Sequence, residues 1–327
     1  MLRAVTSADA LAAEPKRYSA YFPVVLLAFL CVIAYAPAFN NGFIADDYVI
    51  MLRTQILKSD PWYLFHVVPE NFRATSYLVF GAFRALLGYD SRWLYCFTIG
   101  LHLINCLLFL KLLRRLDDRS DLPVIAAVLF AVFQAPQEAV MWLAAMNEEL
   151  QAAFILSALL LWDRRRNALS VVCFSLALVS KESAAILLLM LPLWQAIRGR
   201  PLFPRAYFWF LVPAAVFSAV FLATVSQNFM LTSHAYVIGF QAPIVILKTL
   251  FRLTTPWLYI LIAILLYQRS KLLRSQQVAA YAAWLAIPMF PYMFISYQHH
   301  LPSRQLYMAS MVLSCLFAQL LGQISSL

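Results

Sequence analysis

No aspartate or glutamate follows Glu182 in a chain of 327 residues. Charge is scarce overall: 12% of residues are Asp, Glu, Lys or Arg, against about 25% in an ordinary soluble domain. That shortage excludes a water-soluble globular protein of this length. Only 7 glycines are present and no stretch alternates apolar with polar, so a membrane β-barrel is excluded as well. The five cysteines (Cys31, Cys96, Cys106, Cys173, Cys315) all fall inside apolar stretches. They read as small core residues, not as a disulfide framework or a metal site. No small-residue cleavage site follows the first apolar stretch, which is therefore read as a retained span and not as a signal peptide.

What is present in quantity is apolar. Hydrophobic residues make up 63% of the chain and the mean hydropathy is +0.76. The expected fold class is an all-α polytopic membrane protein with about ten spans, at roughly 21–38, 93–113, 122–136, 141–162, 167–180, 183–197, 206–226, 253–268, 278–296 and 305–325. Two of these (167–180 and 183–197) are short enough to form one re-entrant hairpin. Residues 1–20 form an N-terminal tail, and 21–327 a single membrane domain whose first outer loop covers 39–92. A stretch from Asn71 to about Leu87, apolar but interrupted by Arg73 and Arg84, reads as an interfacial helix.

The basic residues orient this ladder. One side collects 16 of the 25 Lys and Arg, including Arg114, Arg115, Arg164, Arg165, Arg166, Arg198 and Arg200, and is cytoplasmic by the positive-inside bias. Both termini fall on that side. It accounts for the whole net charge of +10, so the basic balance is an insertion signal and nucleic acid is not an expected partner. The lipid bilayer is. The lack of any Asn-x-Ser/Thr sequon leans towards a bacterial inner membrane.

The opposite side is neutral but divided: its acids (Asp46, Asp47, Asp60, Glu70, Asp90, Glu138, Glu148, Glu149, Glu182) all lie in the first part of the chain, whereas Lys248, Arg252 and Arg304 follow. Carboxylate chemistry belongs to the first half, and anion binding suits the second. The adjacent Asp46 and Asp47, just after the first span, can divide labour: one takes a proton from a hydroxyl while the other positions it or binds a divalent cation. The bland alternative is a helix cap or a solvated turn. His102 and Asn105 share a helical face and more often serve interhelical hydrogen bonding. Glu138, Glu148 and Glu149 sit at membrane level, where a carboxylate costs about 2.5–3.5 kcal/mol on insertion scales and normally faces a partner or a wet cavity. Lys181-Glu182 interrupts a long apolar stretch, and Arg304 opens the last span with a guanidinium suited to a phosphate. His299 and His300, as neighbours without a third ligand, are an improbable metal pair.

In order along the chain stand Phe43-Ile44-x-Asp46-Asp47, Phe72-Arg73 leading to Gly88, His102-Leu103-x-Asn105, Phe130 to Pro136-x-Glu138-Ala139-Val140-x-Trp142, Ser180-Lys181-Glu182, and Ser303-Arg304-x-Leu306-Tyr307. This order resembles the membrane glycosyltransferases of the GT-C class, especially the protein O-mannosyltransferase and TMTC-like branch. The resemblance implies a GT-C-like bundle and a polyprenyl-phosphate-linked sugar donor. It also implies inverting transfer to a hydroxyl acceptor (protein, glycan or lipid) at the extracytoplasmic face. It implies Asp46 or Asp47 as the base and Arg304, Lys181 and Arg73 around the donor phosphate. Glu138, Glu148, Glu182, His102 and Tyr307 would line the substrate pocket. The chain departs from the family pattern at Ala74, Gln134 and Asn147. Two other readings stay open: a non-catalytic subunit that binds a lipid-linked sugar, and a lipid-linked-sugar flippase.

Overall fold

The computed structural model describes residues 21–63, 73–117, 121–224, 241–255, 275–293 and 301–324, together with isolated positions 226, 232, 234, 257 and 259. Among the described residues the chain is helical without a strand. Five stretches are long and apolar enough to cross a membrane: Phe22–Asn40, Ser91–Leu113, Leu143–Asp163, Arg205–Ala223 and Ser303–Gly322. The architecture is that of a helical membrane protein. Helices over Leu122–Val132, Asn167–Ser180 and Glu182–Ile197 are apolar but shorter. The expected span at 253–268 lies mostly outside the described residues.

In chain order the helices are α1 (Phe22–Tyr35), α2 (Asp46–Ser59), α3 (Ala74–Leu87), α4 (Ser91–Leu113), α5 (Leu122–Val132), α6 (Gln137–Met141) and α7 (Met146–Asp163). They continue as α8 (Asn167–Ser180), α9 (Leu187–Ile197), α10 (Leu211–Ala223), α11 (Gln241–Thr254), α12 (Ser275–Met289) and α13 (Tyr307–Ile324). α3 answers to the expected interfacial helix. α2 is an addition, because the sequence reading left that region as loop. Arg53 Nη1 donates to the Tyr77 hydroxyl at 2.9 Å and Gln55 Nε2 to the Tyr89 hydroxyl at 2.7 Å, so α2 lies along α3.

Burial sorts the long helices by polarity. In Leu143–Asp163, 89% of the most apolar window is buried, against 11% in Arg205–Ala223. The first carries Asn147, Glu148, Glu149 and Gln151, which cannot face hydrocarbon. The second is apolar all round and loses nothing by facing lipid. α7 therefore forms the hub, flanked by α8 and α4. The last helix crosses α5 closely enough that a Cβ on Gly322 would meet Leu122 Cδ2 at 2.7 Å, so a larger residue there would displace the Leu122 side chain.

A tight turn through Arg164, Arg165 and Arg166 joins α7 to α8. Arg165 takes φ 60°, and its N–H and that of Arg166 donate back to Trp162 and Leu161. At this end Asp163 accepts from Arg200 at 2.9 Å, lies 3.5 Å from Arg198 and receives the Trp194 indole at 3.4 Å. Arg198 also bonds the Arg115 carbonyl. Eighteen residues of α7 span about 27 Å, close to a hydrocarbon core of about 30 Å. Basic clustering at one end of α7 and the carboxylate groups at the other are thus about one bilayer apart.

Candidate functional site

The segment from Glu138 to Glu149, which leads into α7, touches nearly every residue singled out in the sequence. At its centre, the Ala144 N–H donates to Asp47 Oδ1 at 2.7 Å, and the Ile44 N–H donates to Asp47 Oδ2 at 2.9 Å. Asp47 is fully buried. Burial pushes its carboxyl up to about 6, against the lowering effect of those two backbone bonds, with Asp46 adding a smaller upward push. Its neighbour Asp46 is exposed at the start of α2. The adjacent carboxylates are thus unequal: Asp47 staples the loop to the hub, and Asp46 faces outward. A structural task, the tie between loop and hub and not a cap of α2, accounts for Asp47 and leaves Asp46 without one among the described residues.

The backbone before the dyad is strained. Ala45 takes φ 44°, ψ −116°, a region that residues with a Cβ rarely adopt. The loop is held there by α4, since Ser91 Oγ donates to the Asn41 carbonyl at 3.0 Å and the Tyr95 hydroxyl, one turn on, to the Gly42 carbonyl at 3.1 Å. Both oxygens of Asp47 are already engaged, so the dyad offers one uncommitted carboxylate. A Mg²⁺ ion is commonly held by one or two carboxylates with water and substrate phosphate, so Asp46 is the residue of the dyad that would hold such an ion.

At the start of the segment, Glu138 is clasped by the chain that opens α13. Ser303 Oγ donates to Glu138 Oε2 at 2.8 Å, the Arg304 N–H reaches the same oxygen at 3.2 Å, and the Arg304 guanidinium pairs with Oε1. The guanidinium lies 4.7 Å over the Trp142 ring. Burial alone would raise the Glu138 carboxyl, but the Arg304 charge and these hydrogen bonds outweigh it and hold the group below its usual range. Glu138 and Arg304 stay about a quarter to a third exposed, at 30% and 27% of their side chains.

Further along, Lys181 pairs with Glu148, with both side chains 5% exposed. The Lys181 ammonium also sits 4.9 Å over the Tyr292 ring. The Tyr292 hydroxyl donates to Glu148 Oε2 at 3.3 Å and contacts Ser183 Oγ at 2.8 Å, and Ser183 Oγ donates to Gln151 Oε1 at 2.9 Å. Lys181 therefore does not pair with adjacent Glu182, which is half-buried at the start of the next turn. Arg73 sits at the entrance to α3, within electrostatic range of Lys181, and Thr75 Oγ1 donates to Ser180 Oγ at 2.8 Å. Among the described residues no carboxylate pairs with Arg73, so it is the uncompensated cation of this wall. Glu70 and the His299-His300 pair lie outside the described residues.

His102 and Tyr307 are brought together, but inside the bundle. The Tyr307 hydroxyl lies 2.7 Å from His102 Nδ1 and receives Asn105 Nδ2 at 3.0 Å, while His102 Nε2 lies 3.2 Å from the Ala131 carbonyl. Asn105 Nδ2 also donates to the Glu149 carbonyl at 3.0 Å. Both His102 and Tyr307 are fully buried or nearly so. They tie α4, α5, α7 and α13 together, which is the structural role favoured for His102 and Asn105 from the sequence.

Sequence reasoning missed Tyr292, Ser183 and Gln151. It also missed the Lys181–Glu148 pairing, although a signal for that one existed. Glu148 and Lys181 stand almost equally far from Arg165, so folding the chain back at that turn sets them level. Compared with protein-family models, curated proteins and solved structures, the chain finds no match.

Proposed function

We propose that this protein is a membrane glycosyltransferase. It would move a sugar from a polyprenyl-phosphate donor to a hydroxyl acceptor at the face where Asp46 lies, which we take as extracytoplasmic. The observation that carries this reading is the unequal dyad. Asp47 fixes the loop on the Ala144 N–H, and exposed Asp46 sits beside strained Ala45 on this loop, which is docked against the segment that holds Arg304 and Lys181. Strain of this kind collects at functional sites.

In the proposed single displacement the acceptor oxygen attacks the anomeric carbon, and its proton passes to Asp46. The bond from that carbon to the phosphate oxygen breaks as the new one forms, and the electron pair leaves with the lipid phosphate. Arg73 is the principal partner for that anion, since Lys181 and Arg304 already have carboxylates. These two would add to the field or exchange partners when the phosphate enters. On this reading the five long and the shorter apolar helices together complete a GT-C-like bundle of about ten spans in a bacterial inner membrane. Of the residues expected to line the substrate pocket, Glu138 and Glu148 also orient Arg304 and Lys181, Glu182 stands beside Lys181, and His102 with Tyr307 holds the wall behind them.

The test is transfer in proteoliposomes supplied with polyprenyl-phosphate hexose and peptide, glycan or lipid acceptors. Asp46→Asn should abolish product while the protein remains folded, and full activity in that variant would sink the mechanism. Neutralisation of both Lys181 and Arg304 favours one second reading, a subunit that binds the lipid phosphate without transfer. Stoichiometric binding of a polyprenyl phosphate with no product from any acceptor would select it.

A further inference from the structure

Behind the outward site, α1 and α4 bring three ligating side chains together. His102 and Cys106 are one helical turn apart on α4 and so share a face, and Cys31 comes from the facing side of α1. One ligand atom from each (His102 nitrogen, Cys106 Sγ, Cys31 Sγ) lies within 4.8 Å of the others, and all three residues are fully buried. His102 Nε2 and Cys106 Sγ stand 3.8 Å apart. Among the described residues no other group of His, Cys, Asp or Glu converges in this way.

A second feature lies near the cluster. Glu149 is fully buried on α7, and neither of its carboxylate oxygens has a hydrogen-bond partner. Its charge lies within electrostatic range of the Cys31 and Cys106 sulfurs. A buried polar group without a donor costs several kcal/mol in hydrocarbon, roughly, and a cation is one way to meet that cost.

We propose that Cys31, His102 and Cys106 form a three-residue thiophilic site for Zn²⁺ in the membrane interior, with the Glu149 carboxyl outside the ligand set but close enough to act on the sulfurs. Tetrahedral zinc with Zn–S near 2.3 Å and Zn–N near 2.1 Å sets its ligand atoms about 3.6–3.8 Å apart, so the present arrangement needs only a small contraction. Binding releases the two thiol protons, and the divalent charge nearly balances the resulting anions. His102 binds through Nε2 and gives up the Ala131 carbonyl, so its proton moves to Nδ1, where the Tyr307 hydroxyl accepts it. A ligating histidine normally has such an outer partner. This assignment revises the reading of these cysteines as plain core residues. It does not depend on the proposed transfer reaction, because none of the three ligands takes the acceptor proton or holds the donor phosphate there.

The experiment is zinc content by mass spectrometry on full-length protein purified in detergent, metal-stripped and then reloaded with zinc alone. Parallel samples loaded with Co²⁺ are read for the thiolate charge-transfer band and tetrahedral d–d bands. Wild type should retain about one ion per chain after desalting, and Cys31→Ala/Cys106→Ala should retain none. Cys173→Ala, on α8, serves as the control and should bind as wild type does. Tyr307→Phe, which removes only the outer partner, should weaken binding about tenfold or more. If the double variant does not fold, His102→Gln is read in its place against wild type. Wild type that holds no more zinc than the double variant or this single variant, or a cobalt spectrum without thiolate charge transfer, overturns the assignment.

Discussion

The Lys181–Glu148 pair permits a sharp test of what holds the hub together. Both side chains are nearly inaccessible, and the ammonium contacts Glu148 and the Tyr292 ring, with Glu182 and Arg73 acting on it from farther off. A contact pair at an effective dielectric near 20 attracts by about 4 kcal/mol, and a ring face adds about 0.5–2 kcal/mol. Desolvation opposes both. Removing one partner leaves a buried charge uncompensated, so Lys181→Met alone and Glu148→Gln alone should each cost about 3–5 kcal/mol. Removing both, as Lys181→Met/Glu148→Leu, should recover most of that loss, because an apolar pair of similar volume avoids the desolvation cost. Thermal unfolding in detergent, followed by tryptophan fluorescence across the full double-mutant cycle, gives the coupling. A coupling below about 1 kcal/mol, typical of an exposed pair, would refute the reasoning. The same double variant also separates structure from chemistry. If it is stable and still transfers sugar, Lys181 belongs to the hub and Arg73 carries the phosphate.

Further expectations concern the loop and its clasp. Asp47→Ala strands two backbone N–H groups and should destabilise by about 1–3 kcal/mol for each, whereas Asp46→Asn should leave the melting temperature unchanged and lower transfer by about 10²–10⁴-fold. The opposite pattern would reassign the two carboxylates. Ala45→Gly relieves a left-handed backbone worth about 1–3 kcal/mol, so a raised melting temperature is expected, and a fall would show that the strain is absent. Glu138 is held below its usual range in the folded chain. Its stabilisation is therefore full above the ordinary carboxylate value and lost as pH falls through the lowered folded value. Melting temperatures of wild type and Glu138→Gln should differ at neutral pH and converge in acid. Asp47 has the reverse sign: raised to about 6 from 3.8, it favours the folded state most below that window, and its contribution declines as pH climbs through it. A pH slope of the same size in Asp47→Asn would contradict this.

The helical, membrane-type character of this chain was decided by its sequence, because burial of backbone in hydrocarbon leaves few options and apolar runs near 20 residues announce the one chosen. The division into two charged ends was also legible. Arg115, Arg198 and Arg200 gather beside Asp163, a bilayer's thickness from Asp47 and Glu148. The cap-or-catalyst ambiguity of the acidic dyad could not be resolved along the chain, since both roles favour the same residues. Only the fold gave Asp47 its structural task, by presenting the Ala144 N–H to it from the turn before α7, nearly a hundred residues away. Pairing of the cations followed the same rule. Adjacent Lys181 and Glu182 point apart because consecutive side chains on a turn do not face each other, and the hairpin at Arg165 supplies Glu148 instead. Cys31 meets Cys106 and His102 for a like reason: a sequence shows spacing within one helix, but which face of another helix lies opposite is set by packing.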